Sequence, residues 1–380
     1  MTNSHSLHSL ILITTGSVLL SACTSKSNEA TQTTDQGDHV RMLISSYGSA
    51  QDECIRLYDF DQSSGSARQL CGLSGVPDPS YLCLASDQGH FLAASETDDG
   101  NDALYLATII EEGDSLTMQV LDSCPTEGKA PCYVNFGAPG TTAYTANYNG
   151  GNLTCFYIDT ENWKIGEDPE VIQYEGSGPF LPNQQQSHIH CAQFSPDSSQ
   201  LYVCDLGADR IHCINFIEET PLEDIELEAG SGPRHLIFSS DGRFAYVINE
   251  LSGYVTVLDN QGTMLRPIQY ALCDSVGGHG SADIHISNDG RFLYASNRLK
   301  ADGISIFSID AESGLISKIG YQLTGIHPRN FALSPNGKFL LCACRDSNCI
   351  QIFSRDEETG MLTDTKQIIE MNKVVCVKFL

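Results

Sequence analysis

The sequence predicts an all-β fold: a seven-bladed β-propeller, closed by pairing the C-terminal strand with the N-terminal blade. Three observations predict it. A hairpin pattern recurs six times, its spacing is that of a propeller blade, and the two chain ends each carry half of a seventh copy. Asp-Gly or Asn-Gly between alternating apolar runs signals a tight hairpin, because both turn residues must accept positive φ. Four copies are well formed, at 194–204 (FSPDSSQLYVC), 238–248 (FSSDGRFAYVI), 286–296 (ISNDGRFLYAS) and 333–343 (LSPNGKFLLCA). Two looser copies lie at 84–94 (LASDQGHFLAA) and 136–146 (FGAPGTTAYTA). Their turn centres, Gln88, Gly140, Ser198, Asp241, Asp289 and Asn336, are 52, 58, 43, 48 and 47 residues apart, as expected of blades built only from strands.

The seventh copy is divided. Residues 42–48 (MLISSYG) read as a second strand with nothing before it, and 374–379 (VVCVKF) as a first strand with nothing after it. Pairing them closes the ring and removes the sheet edges that an open ring leaves exposed. A chain of 380 residues could hold two domains, but no linker or change of periodicity divides it. The expected organisation is a leader over 1–22, a flexible polar tether over 23–39 and a propeller over 40–380.

Composition narrows the function. The net charge of −27 argues against nucleic acid and anionic membrane surfaces as partners, and it makes each arginine near a candidate site informative. Residues 10–20 (LILITTGSVLL) are an apolar run too short to span a bilayer, leading into Leu20-Ser21-Ala22-Cys23. That tetrapeptide matches the bacterial lipobox, so Cys23 is the expected lipidation site. A lipid anchor on Cys23 would be the only membrane attachment, holding the protein in the cell envelope, although the leader has His5 and His8 and no Lys or Arg. Fourteen cysteines follow Cys23. Cys83, Cys191, Cys204, Cys213, Cys342 and Cys376 fall in predicted strands among apolar neighbours, where a thiol packs as a small hydrophobe. No CxxC pair suggests a metal site.

In a propeller the first strand of each blade lines the central channel and the second runs antiparallel beside it. Loops entering first strands and loops leaving second strands therefore open on one face. The entering loops carry His188 and His190, Arg234, His279 and Arg329; the leaving loops carry Tyr148, Asn249-Glu250 and Asn297-Arg298. Two or three arginines, one glutamate and several histidines thus converge on one channel mouth. Arg234 could instead cap a turn, and Asn249-Glu250 could be a solvated loop. Gly232-Pro233 fixes how the chain enters its strand, and Asp209-Arg210 is expected to brace its own loop.

At these motifs the chain resembles the seven-bladed propeller lactonases, which include bacterial 6-phosphogluconolactonases and fungal carboxy-muconate lactonizing enzymes. The resemblance lies in 187–211, 230–251, 282–298 and 327–336, and extends more weakly over 40–380. It implies catalytic roles for His188 or His190, Arg234 and Glu250, and substrate binding by Arg298. Arg329, Asn249 and Asn297, at the same mouth, are further expected substrate contacts. It also implies hydrolysis of a small anionic sugar-acid lactone such as 6-phosphoglucono-1,5-lactone, with no metal or organic cofactor. Lactone opening needs a base for water, donors for the oxyanion and an acid for the leaving alkoxide. Glu250, an arginine or backbone N–H, and either histidine supply these in turn.

The chain departs from the family at two places. Asp283 replaces a usual glutamate, one methylene shorter and so expected to lose a contact. Asn183-Gln184 replaces a usual Arg-Gln, removing one cation that could hold phosphate. Two other readings compete with the hydrolase. One is a cycloisomerase clamping a carboxy-muconate with the same arginines. The other is a non-catalytic surface propeller that binds a glycan or protein, since fold alone does not fix function.

Overall fold

The computed structural model describes residues 37–380 apart from positions 98, 114, 139, 217, 219 and 261–263. The lipobox and most of the expected tether lie outside the described residues. Seven antiparallel sheets form a ring, and their first strands pack against one another all the way round. Blades one to six begin with Pro79–Leu84, Pro131–Phe136, Ile189–Phe194, Pro233–Phe238, Ser281–Ile286 and Pro328–Leu333. Blade seven combines Val374–Phe379 with His39–Ser46, Ile55–Asp61 and Ala67–Leu73. Its closure runs from Met42 opposite Phe379 to Ser46 opposite Val374. The described residues overlap the end of the expected tether: His39 lies in a strand, and the Asp38 carbonyl accepts from Gln62 N–H.

All six recurrent hairpins use one turn. In each, a residue after the first strand bonds across to the second strand and also accepts from the residue three further on, as Ser287 does with Phe292 and Gly290. Positive φ falls on Gln88, Gly140, Ser198, Gly242, Gly290 and Gly337. The Asp or Asn before those last three glycines is not left-handed, so one turn residue bears the unusual conformation, not two. Between blades, tyrosines seal the core. Tyr246 donates to Gly314 O at 3.0 Å and Tyr294 to Gly360 O at 2.8 Å, each reaching the next blade. Burying a large aromatic side chain of this kind contributes about 2–3 kcal/mol. All fourteen described cysteines are free and most are buried. Cys342 and Cys344 share one strand face, their sulfurs 3.8 Å apart; Cys83 is only partly buried.

Two sets of equivalent positions place the site. Near its start each first strand carries a bulge, one extra residue that breaks the register with the second strand. Bulges aim side chains away from the regular ladder, and here the extra residues are Ser80, Cys132, His190, Arg234, Ala282, Arg329 and Val375. Just past each second strand, a residue donates its N–H back to the loop entering the first strand. Around the ring these are Glu96, Tyr148, Leu206, Glu250, Arg298, Arg345 and Tyr47.

Candidate active site

Those two rings form one channel mouth. Arg234, 2% exposed, leaves the bulge of blade four and meets Glu250 at the exit of the same blade, with Nε 2.8 Å from Oε2. The N–H does not point along that line, so the contact is an ion pair and the buried Nε–H has no hydrogen-bond acceptor. Another arm of the guanidinium donates to Ala282 O and contacts His235 Nε2 at 3.4 Å. Arg298, from blade five, brings its Nη2 to 3.1 Å from the same Glu250 oxygen and anchors its Nε on Gly280 O at 2.8 Å. Burial lowers the pKa of Arg298 to about 10, which leaves it charged at neutral pH. Glu250 is therefore held by two cations without an aligned hydrogen bond among the described residues.

Each histidine has a distinct environment. His188 Nδ1 lies 2.7 Å from Tyr148 O. A carbonyl can only accept, so Nδ1 carries the proton and Nε2 is left for chemistry. The ring stacks on Tyr148 at 4.3 Å. His190 is buried, with Nδ1 3.5 Å from the Cys132 sulfur. Burial, then the charge of Arg234, hold its pKa well below the ordinary histidine range. At neutral pH that keeps the His190 ring uncharged.

Under Arg234 lies a buried network. His235 Nδ1 is 2.8 Å from Asp283 Oδ1, and Asp283 Oδ2 accepts from His285 Nε2 at 3.0 Å, Asn330 Nδ2 at 2.5 Å and Phe331 N at 3.1 Å. Burial opposes the Asp283 charge, but His285 and the His235 hydrogen bond outweigh it and hold its pKa well below the usual carboxylate range. The shorter side chain therefore keeps a full set of contacts, contrary to expectation. Burial and Arg234 push His235 down to about 4. Being neutral, its Nε2 can accept from Arg234.

Arg329, on the bulge of blade six, crosses to blade one, where its Nη2 is 3.4 Å from Glu96 Oε2. Tyr47 donates to that same oxygen at 2.7 Å and places its ring under the Arg329 guanidinium, 5.6 Å away. Burial opposes the Arg329 charge, while Tyr47, Glu96, Cys132 and Glu250 together hold its pKa above the ordinary value. Both carboxylates thus act within one electrostatic site.

Asn249 and Asn297 do not reach the mouth. Both are fully buried. Asn249 Nδ2 donates to Thr256 Oγ1 at 2.8 Å, and Asn297 bridges Ser305 and Ser281. As last residues of their second strands, paired with Pro233 and Ser281, they turn into the blade and brace it, so the expectation of substrate contact is corrected. Asp209 braces not its own loop, as expected, but the loop entering blade four, accepting from Gly230 and Gly232 N–H. Gln184 is likewise a buried brace, donating to Leu206 O and Asp209. His279 Nδ1 is tied to Leu251 O at 2.6 Å.

Glu96, Tyr47 and Cys132 escaped the sequence reading. The signal existed. Counting twelve residues on from the start of each repeat reaches Glu96 and Glu250 alike, and counting four back reaches Cys132, His190, Arg234 and Arg329. Among the described residues no group of three or more His, Cys, Asp or Glu is arranged to hold a metal ion.

Comparison with known proteins agrees with the fold. Residues 41–379 match the family model described as "Lactonase, 7-bladed beta-propeller". A 6-phosphogluconolactonase of Formosa agariphila is 35% identical over 331 residues, covering 84% of this chain and 93% of the relative. A solved candidate 6-phosphogluconolactonase from Bacteroides fragilis is 41% identical with TM-score 0.83, covering 92% of this chain and all of the other. A periplasmic gluconolactonase of Pseudomonas aeruginosa is 29% identical with TM-score 0.83, over 90% of this chain and 99% of its own.

Proposed function

Because the chain belongs to the seven-bladed β-propeller lactonase family, we propose that its Arg/Glu/His mouth opens the ring of a sugar-acid lactone by direct attack of water. The activity is that of a lactonase, a carboxylic-ester hydrolase. The relatives are named for 6-phosphogluconolactone and for gluconolactone, so the substrate class is the 1,5-lactone of a hexonic acid or its phosphate.

One observation carries the assignment of roles: the buried Arg234 Nε–H has no acceptor, beside a Glu250 that no aligned hydrogen bond restrains. Buried donors are rarely left unpaired without a purpose. Glu250 takes a proton from water as the water oxygen bonds to the lactone carbonyl carbon. The resulting oxyanion takes up the Arg234 Nε–H, with Arg298 close by. The ring C–O bond then breaks, and the proton that Glu250 took from water passes to the departing alkoxide with His188 Nε2 as the relay, which leaves Glu250 ionised again. The products are the hydroxyl and, after ionisation, the carboxylate of the sugar acid.

The test is hydrolysis of glucono-1,5-lactone and its 6-phosphate by the purified protein and by Glu250→Gln. Acceleration over spontaneous opening that is lost in the variant is expected. Equal rates in both proteins would remove Glu250 from the chemistry. No acceleration of either lactone would favour the surface-binding reading, and turnover of a carboxy-muconate alone would favour the cycloisomerase.

The proposal is that residues 1–22 are removed and Cys23 is lipidated, supported by the lipobox and by the periplasmic relative. Detergent-phase partitioning that disappears in Cys23→Ser is expected; partitioning unchanged by that substitution would rule the anchor out.

A further inference from the structure

We propose that Glu96 is a specificity-determining residue, which accepts the hydroxyls of the sugar chain and masks Arg329 from a terminal phosphate. The inference rests on the lactonase reading of the mouth and deepens it. Glu96 occupies on blade one the position that Glu250 occupies on blade four: each donates its N–H to the loop entering its own blade. Three blades apart is the greatest separation a seven-membered ring allows, so the two carboxylates face each other across the channel. A lactone whose carbonyl lies at Glu250 extends its hydroxylated chain toward Glu96.

The contacts of Glu96 fit that task. Tyr47 and Arg329 both engage Oε2. Oε1 has no partner among the described residues, and the side chain keeps 28% exposure. A fixed carboxylate with one open oxygen suits O–H donors, because hydrogen bonds to ionised acceptors are the strong ones. It repels a phosphate for the same reason. Among the described residues every mouth arginine has a carboxylate partner, and the Arg329 contact, at 3.4 Å, is the longest. Arg234 and Arg298 share Glu250, and Arg345 holds Asp346 at 2.7 Å. Gln184, at the place where the family usually offers a cation beside it, is buried in a brace. Arg329 is thus the guanidinium best placed to take a phosphate, and Glu96 occupies it.

The experiment measures kcat/KM for glucono-1,5-lactone and for its 6-phosphate, using the purified protein, Glu96→Gln, Tyr47→Phe and Glu250→Gln. Glu96→Gln is expected to lower the rate on the neutral lactone about tenfold or more, the usual worth of a hydrogen bond to a charged group. It is expected to raise the rate on the phosphate, because Arg329 is released. Tyr47→Phe, which removes only a hydroxyl, should move the ratio the same way by a smaller factor. Inorganic phosphate should inhibit Glu96→Gln more strongly than the wild type. A ratio unmoved in Glu96→Gln, or in Tyr47→Phe should Glu96→Gln fail to fold, overturns the inference while Glu250→Gln remains inactive. Activity surviving in Glu250→Gln instead removes the catalytic reading of the mouth, and the inference with it.

Discussion

Glu250 and Glu96 stand at equivalent positions of two blades and are held in opposite ways. Glu250 sits between Arg234 and Arg298, 16% exposed, with charge on both sides and no straight hydrogen bond. Glu96 is gripped at one oxygen by the Tyr47 hydroxyl and by Arg329. A carboxylate that is to take a proton must not be locked by donors. One that is to recognise a ligand gains from being fixed. The repeat supplied the same backbone position twice, and different blades supply the partners that hold each carboxylate.

The largest expected effect comes from removing the loosely held carboxylate. Glu250→Gln should lower kcat by about 10²–10⁴, the usual contribution of a general base, with a melting temperature close to wild type. If Glu96→Gln lowers kcat as much, the contrast between the two carboxylates fails.

Arg234→Lys should follow, at about 10² in kcat, since it loses the forked donor aimed at the oxyanion. A rate within twofold of wild type would show that the unpaired Nε–H has no catalytic part.

Asp283→Asn tests the support beneath Arg234. It breaks a buried charged network and should cost about 3 kcal/mol or more in urea unfolding. Activity should fall about tenfold through misplacement of Arg234, with kcat affected more than KM. Unchanged kcat in the folded variant would make the network purely structural.

The smallest effect is on pH stability. His235 is neutral when folded, with a pKa of about 4 against an ordinary 6.5. As pH falls through 6.5 the unfolded chain binds a proton that the folded chain refuses, so stability drops between about pH 6.5 and 4, by roughly 2–3 kcal/mol. His235→Asn should flatten that slope, measured as the urea midpoint against pH; an equal slope in the variant would place the titration elsewhere.

Much of the fold was legible because a propeller repeats one local instruction. The Asp-Gly and Asn-Gly turns at 241–242, 289–290 and 336–337 announced blades on their own, and the split copy at 42–48 and 374–379 announced closure. Arg234, Glu250 and Arg298 were legible too, since strand direction sends their loops to one face. Asn249 and Asn297 misled, because a loop-flanking position does not reveal which way the last strand residue turns. Glu96 was hidden by the looser repeat of blade one, and its partners Tyr47 and Arg329 lie 49 and 233 residues away.

By itself, then, the sequence determined what depends on local periodicity: hairpins, blade count, ring closure and the face on which the charged loops emerge. Tertiary structure alone decided which charges meet. Arg329 reaches Glu96 across blade seven, Arg298 shares the carboxylate of blade four, and His190 is kept neutral by burial and by Arg234. Pairing and burial depend on distances between blades, and those distances exist only once the ring has closed.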